Sequence, residues 1–320
     1  MKEFKKAYES EYFRVEELAA GVYAAYSSEE GGGISNAGII DLGDKVIVFD
    51  AFLSTDCAKE LKKAAATLTG KEVSYVVNSH NHFDHVLGNC VFEAEIPIIS
   101  TYKTYHELKL HEAEASGMKE AAPEVIASLK LELKDETDEI SRKMLERDIR
   151  FQESILKDDF GLRLPDMTFE TSMEIHGASK TAVIREFSGG HTAGDAVLLL
   201  TEERIAFMGD ILFTGAHPWL GAGDPMLWID RIHEFQNYDF DVLVPGHGPA
   251  GTKEDLLLIE KYINALDSMA ERIIKGELKL EEVHESMLPE DFKNWKGIRF
   301  LPNLKFYVGY KARLPKQFTG

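Results

Sequence analysis

Apolar positions along this chain fall into short β-branched runs separated by glycine-rich breaks, and one long stretch of helical spacing interrupts them. Val22-Tyr23-Ala24-Ala25-Tyr26, Ala37-Gly38-Ile39-Ile40 and Lys45-Val46-Ile47-Val48-Phe49 predict an antiparallel meander over residues 12–26 and 38–52. Between them, Gly31-Gly32-Gly33 lacks a following Gly-Lys-Ser/Thr and opens no helix, so it predicts a mobile hairpin or turn, not a phosphate-binding loop. From Cys57 to Thr67, helical spacing with Lys/Glu partners predicts a surface helix ended by Gly70. Val73 to Ser79 then reads as a buried strand, completing a βαβ step, and Ile96 to Ser100 as a further short strand.

Between about residues 102 and 159 the composition turns to Glu, Lys, Leu and Ala, which predicts a helical insertion with breaks at Gly117 and near Pro123. Its apolar positions, Ile126, Leu129, Leu133, Ile140, Met144, Phe151 and Ile155, recur at heptad-like intervals. A solvated hairpin, a lid over a site and a contact between two copies in a homodimer all satisfy that pattern. His106 and His111 hold no metal spacing with each other and read as surface residues. Strand patterns resume at 167–169, 173–175, 182–187, 196–200, 204–208 and 242–244, with a helix over 228–238. The expectation is a single α/β domain over 1–320, with a helical and aromatic extension from about residue 260.

Charge narrows the partners. Thirty-six basic against 55 acidic residues give a net charge of -19, which repels phosphate backbones and anionic membrane surfaces. No window approaches 18 unbroken apolar residues. Nucleic acid and membrane are therefore not expected as partners, and a small-molecule substrate is. Two cysteines, Cys57 and Cys90, form no disulfide framework, and Met1 to Lys6 leads into no apolar signal core, so the expected compartment is cytoplasmic.

The chemistry is concentrated in His80-Asn81-His82-Phe83-Asp84-His85, where the Val73 strand ends. Three imidazoles and a carboxylate within six residues suit divalent metal ligation better than an ordinary core. Three further candidates stand at strand ends: His191 in Gly189-Gly190-His191-Thr192, Asp210 in Gly209-Asp210, and His247 in Pro245-Gly246-His247-Gly248. His80, His82 and His191 would form one site, and Asp84, His85 and His247 a second, with Asp210 placed to bridge them and an open position left for water. Asp50 either caps a helix or accepts a hydrogen bond beneath the metal loop. The aromatic, glycine-flexible segment 213–224 offers His217 and Trp219 as substrate contacts, or is simply a packed loop. Trp295, Phe300, Phe306, Tyr307 and Tyr310, interleaved with Lys296, Arg299, Lys305, Lys311 and Arg313, predict packing onto the fold or onto a second subunit.

In order and rough spacing, these motifs resemble the metallo-β-lactamase fold superfamily across about residues 22–259. The resemblance implies a four-layer αββα sandwich with the helical insertion added, and a metal site to which each half of the chain contributes. It also implies two divalent ions, with zinc expected and iron or manganese as alternatives, and Asp84 as both ligand and the acceptor orienting the nucleophile. The superfamily spans many reactions. His82 stands where the flavodiiron branch carries Glu, and Asp210 stands where true β-lactamases mostly lack an Asp. The pattern is more similar to glyoxalase II type thioesterases and acyl-homoserine lactonases, although Asp195 departs from the thioesterases. The expected activity is hydrolysis of a small carboxylic ester, thioester or lactone. The alternatives are a mononuclear iron oxidoreductase acting on persulfides, a phosphodiesterase, or a non-catalytic metal-binding module.

Overall fold

The structure, a computed structural model, describes residues 4–28, 31–296 and 300–313. Arg299 and the side chain of Ile140 lie outside the described residues. Strands β1 (Lys5–Glu9), β2 (Phe13–Ala19), β3 (Val22–Ser27), β4 (Ala37–Asp41) and β5 (Val46–Phe49) form the antiparallel meander read from the sequence. Helix α1 (Thr55–Thr69) then crosses over to β6 (Tyr75–Val77), capped at its start by Ser54 and at its end by left-handed Gly70. After the short α2 (Phe83–Val86) comes β7 (Ile98–Thr101). Helices α3 (Tyr102–Leu110), α4 (Glu112–Asp135) and α5 (Glu139–Ile155) intervene before β8 (Met167–Phe169). β5 to β8 pair in parallel and complete an eight-stranded sheet.

The second sheet takes β9 (Ser172–His176), β10 (Thr181–Glu186), β11 (Ala196–Leu200) and β12 (Ile205–Phe213), followed by α6 (Pro225–Gln236) and β13 (Val242–His247). Its order is β13-β12-β11-β10-β9, with only the β12 and β13 pair parallel. Helices α7 (Lys253–Ile274) and α8 (Phe300–Arg313) close the described chain.

Period-two alternation sends both faces of these strands into cores. In β5, Ile47 and Phe49 join Phe207 and Val244 between the two sheets, whereas Val46 and Val48 join Leu61 and Ala65 of α1 on the outer face. In β12, Phe207 points inward while Ala206 and Met208 join Trp228, Ile232, Tyr262 and Leu304 of α6, α7 and α8. The result is helix, sheet, sheet, helix, the four-layer sandwich expected. Fully burying one such side chain contributes about 1.5–3 kcal/mol, and this doubled burial is what holds the two sheets together.

Three local expectations change. Helix α4 runs unbroken through both Gly117 and Pro123, and the helical stretch breaks instead at His111 and at 136–138. Pro123 forfeits one backbone hydrogen bond, and burial of Ala115, Ala122 and Ile126 along the helix outweighs that loss. Met144, assigned to the packed apolar repeat, is exposed. Gly31, Gly32 and Gly33 are buried and not an exposed hairpin tip, and the Gly33 carbonyl accepts from the backbone N–H groups of Ser35 and Leu53. The insertion also reaches the site: Ala122 and Ile155 share a cluster with Phe83 and Leu87, beside the histidines, and with Leu53 ahead of α1. Among the described residues no helix is long and apolar enough to cross a membrane.

Candidate metal centre

Strand ends deliver the donors. β6 ends at Val77, and the loop to α2 carries His80 and His82; Asp84 and His85 lie in α2 itself. β12 carries Asp210, β13 ends on His247, and His191 comes from the turn between β10 and β11. Two sets of donor atoms result: His80, His82, His191 and Asp210 in one, Asp84, His85 and His247 in the other, each drawn together within 4.8 Å. Asp210 joins them. Its Oδ2 lies 3.2 Å from His191 Nε2 and 3.4 Å from His247 Nε2, and its Oδ1 lies 3.2 Å from His85 Nε2. Asp84 Oδ2 lies 3.3 Å from His247 Nε2 and 3.6 Å from His85 Nε2.

The supports behind these donors explain their orientation. Asp50, with left-handed φ of 61°, accepts from the Ser79 backbone N–H at 2.7 Å through Oδ1 and meets His85 Nδ1 at 2.8 Å through Oδ2. It therefore serves as the acceptor beneath the loop, and Ser54 is the cap of α1. Ser79 Oγ holds His80 Nδ1 at 2.8 Å, and the Ile34 carbonyl lies 3.2 Å from His247 Nδ1. Each contact leaves Nε2 of its imidazole facing the centre, the usual way of fixing a metal-binding histidine. Asp195 accepts from the backbone of His191 and Thr192 and from the Thr192 hydroxyl, which shapes the His191 turn. Burial pushes the Asp195 carboxyl up to about 6.

The residues fit metal ions. His80 Nε2, His85 Nε2, His247 Nε2 and Asp210 Oδ1 are buried with no hydrogen-bond partner, a costly state for four polar atoms in one place unless a cation satisfies them. The metal-free electrostatics agree. Burial lowers His80 well below its ordinary value, and burial together with His191 lowers His82 to about 3. Burial would also lower His85 and His247, but the carboxylates of Asp210 and Asp84 outweigh it, raising His85 well above its ordinary range and His247 to about 9. Burial opposes ionisation of Asp84 and Asp210, yet the surrounding histidines hold both carboxyls below the usual range. Around His85 and His247 the carboxylates thus favour positive charge, which a bound cation would supply.

A pH dependence of loading follows, because a raised histidine pKa means a proton that metal must displace. His80 and His82 are already neutral and release none. Binding of a divalent ion by Asp84, His85 and His247 is expected to weaken as the pH falls below about 9. The slope should be about tenfold per pH unit for each proton displaced. Metal content after dialysis at stepped pH against a buffered solution of a divalent metal checks this; a content unchanged by falling pH would contradict it.

The centre opens on a cavity of about 420 Å³ lined by Asn81, Phe83, His111, Glu114 and Trp219 together with His82, Asp84, Asp210 and His247. Of the two substrate contacts expected, Trp219 lines this cavity. His217 does not: it is buried, with Nδ1 3.2 Å from the Tyr262 hydroxyl and Nε2 2.8 Å from Glu285 Oε1. Phe213 and Trp228 stand behind the donors, with Phe213 stacked on His247 at 8° and Trp228 edge-on to His191. His111, read as a surface residue, lines the cavity and pairs with Glu114 at 2.7 Å. Nothing in its sequence neighbourhood signals this, since the junction of α3 and α4 places it there. Asn36 was likewise missed; its Nδ2 donates to the Pro245 and Gly248 carbonyls and stitches β4 to the His247 loop across 209 residues of chain.

A mixed α/β sandwich that gathers histidines and aspartates at the ends of its strands is the architecture of a metal-dependent hydrolase-type protein. A family model of the metallo-beta-lactamase superfamily matches residues 31–247, and the chain belongs to that superfamily. Solved structures agree on the fold. The sec-alkylsulfatase Pisa1 from Pseudomonas sp. superposes with a TM-score of 0.66 at 15% identity, covering 95% of this chain, which spans 50% of the alkylsulfatase's length. The metallo-beta-lactamase FIM-1 from Pseudomonas aeruginosa, solved in its mono-zinc form, gives 0.56 at 17% identity over 79% of this chain and 95% of its own. The metallo-beta-lactamase DIM-1 gives 0.57 at 16% identity over 79% and 97%. No curated protein sequence matches the chain.

Proposed function

We propose that the chain is a dinuclear metal-dependent hydrolase, with zinc as the expected metal, acting on a small carboxylic ester, thioester or lactone. The observation that carries this reading is the pair of donor sets joined by Asp210, opening on a cavity whose lining, among the described residues, contains no lysine or arginine. Divalent ions held there would bring the pKa of water near neutrality and polarise a carbonyl oxygen.

The chain's own residues supply the rest. Asp84 sits at the cavity floor with its carboxyl ionised, able to accept a hydrogen bond from the attacking nucleophile and so to orient it. Asp50, Ser79 and the Ile34 carbonyl keep three imidazoles from rotating, which avoids reorganisation as charge develops. Phe83 and Trp219 offer apolar walls, and Asn81 a polar handle whose buried Oδ1 has no hydrogen-bond partner. Among the described lining residues a phosphodiester finds no guanidinium or ammonium partner of the kind such anions favour. The same argument weighs against a second reading, alkyl sulfate hydrolysis, which is favoured by the longer superposition with the alkylsulfatase than with the β-lactamases.

The test is a panel of ester, thioester, lactone, phosphodiester and alkyl sulfate at fixed zinc, run beside Asp84→Ala to exclude contaminants. Elemental analysis should find about two metal equivalents per chain. Turnover confined to the phosphodiester or the sulfate, and lost in the variant, overturns the substrate reading. One equivalent of iron with oxygen uptake on a persulfide would instead favour an oxidoreductase.

A further inference from the structure

We propose that helix α8 positions the cavity residue Trp219, with Asn303 as the positioning residue that fixes it; the proposal rests on the reading of the cavity as the substrate site. Asn303 is fully buried, and its side-chain amide grips the main chain on both sides of Trp219. Its Oδ1 accepts from the Leu220 N–H at 3.1 Å, and its Nδ2 donates to the Pro218 carbonyl at 2.6 Å. Nδ2 also lies 3.3 Å from the Tyr262 hydroxyl on α7. A planar amide with one donor arm and one acceptor arm is the group that satisfies both peptide units at once.

The grip is reinforced along the whole segment. Lys296 N–H donates to the Gly215 carbonyl at 2.9 Å, and His217 N–H donates to the Lys296 carbonyl at 3.0 Å. His217, lost as a substrate contact, ties the segment to Glu285. Tyr310 donates to Asp224 Oδ1 at 2.8 Å, on the residue that caps α6, and the Tyr307 hydroxyl lies against Met226. Asn303, Tyr307 and Tyr310 stand at i, i+4 and i+7 of α8, so one face of that helix addresses the segment from 218 to 226. Beneath the indole is Gly221, where a Cβ would fall 2.3 Å from the ring, so the ring is seated directly on the backbone.

A buried amide is a costly way merely to pack a helix, because an apolar residue carries no desolvation penalty. Asn303 makes sense where the conformation of the Pro218 to Leu220 peptides matters, and Trp219 is the residue of that stretch that faces the cavity. Asn303 therefore acts on substrate selection through Trp219 and not on the metal donors.

The test compares Asn303→Asp, which keeps shape and removes the donor arm, with Asn303→Leu, using para-nitrophenyl butyrate as probe. KM is expected to rise about five- to tenfold with kcat changed less than about twofold, and metal content to stay the same. Acrylamide quenching of the Trp219 emission, isolated by difference from Trp219→Phe, is expected to increase about twofold as the indole loosens. In a Trp219→Ala background, Asn303→Asp should leave KM unchanged, the signature of two residues acting as one unit. Should the Asn303 variants not fold, Tyr310→Phe removes a single hydroxyl from the same clamp and is expected to shift quenching in the same direction. Unchanged quenching, or a KM effect that persists undiminished without Trp219, overturns the proposal. If no ester is hydrolysed, the functional reading fails while the quenching measurement still decides the role of Asn303.

Discussion

Asp84→Ala is expected to lower turnover at least about a thousandfold, equivalent to about 4 kcal/mol of transition-state stabilisation, while the protein stays folded. Asp84 is the carboxylate of the second donor set and lines the cavity, so its removal takes away an oxygen donor and an acceptor at the reacting position together. His80, His82 and His191 do not rely on it for orientation, since Ser79 holds His80, Asp195 shapes the His191 turn, and His82 Nδ1 meets His191 Nε2 at 2.9 Å. Metal content should therefore fall from about two equivalents to about one. The loss of charge also leaves His85 and His247 with Asp210 as their remaining carboxylate in the cavity, so in the metal-free variant both should titrate at lower pH than in the parent. Elemental analysis, thermal unfolding and histidine titration by NMR check these outcomes. Full activity with a single equivalent of metal would show that Asp84 is not part of the reacting centre.

Gly246→Ala is expected to weaken metal binding without replacing a donor. A Cβ at Gly246 would lie 1.8 Å from Asp210 Oδ1 and 2.9 Å from the Gly209 carbonyl carbon, distances no side chain can occupy. Asp210 has nowhere to retreat, because its carboxyl is buried among His85, His191 and His247. The carboxylate that joins the two donor sets must shift. Metal affinity should drop by about 10–100-fold or more, the range seen when the groups orienting a metal site are disturbed. The overpacking itself should cost about 1–3 kcal/mol of stability, readable as a lower urea midpoint. Pairing the change with Asp210→Ala provides the control: the double variant should lose little metal affinity beyond that of Asp210→Ala alone, because the 1.8 Å clash goes with the side chain and only the 2.9 Å approach to the Gly209 carbonyl carbon remains. A fully additive double variant would show that Gly246 acts through something other than Asp210.

Much of the site was legible in the residues because strand periodicity and donor clustering are local properties. The run from His80 to His85, following a β-branched strand, declares its chemistry without any tertiary information, and the glycine-flanked His191, Asp210 and His247 add to it by position at strand ends. The alternation in β5 and β12 is equally local, and it dictates two buried faces and hence layers on both sides. Asp50 was ambiguous for a physical reason: an aspartate after a strand can cap a helix or accept from a loop, and only the left-handed turn that aims it at His85 decides.

What the fold alone decided depends on distance along the chain. Asn36 grips carbonyls more than two hundred residues away, and no periodicity links them. His217 and Trp219 stand two residues apart in one loop, yet one is drawn into a buried pair with Glu285 and the other faces the cavity, where Asn303 of α8 grips the backbone on both sides of Trp219. His111 and Glu114 had no signal because an insertion's helices reveal their own apolar faces and not what they are folded against. Donor identity and layer order reside in local pattern; cavity walls and the supports behind the donors arise from contacts between segments remote in sequence, and these come into being only when the two sheets pack.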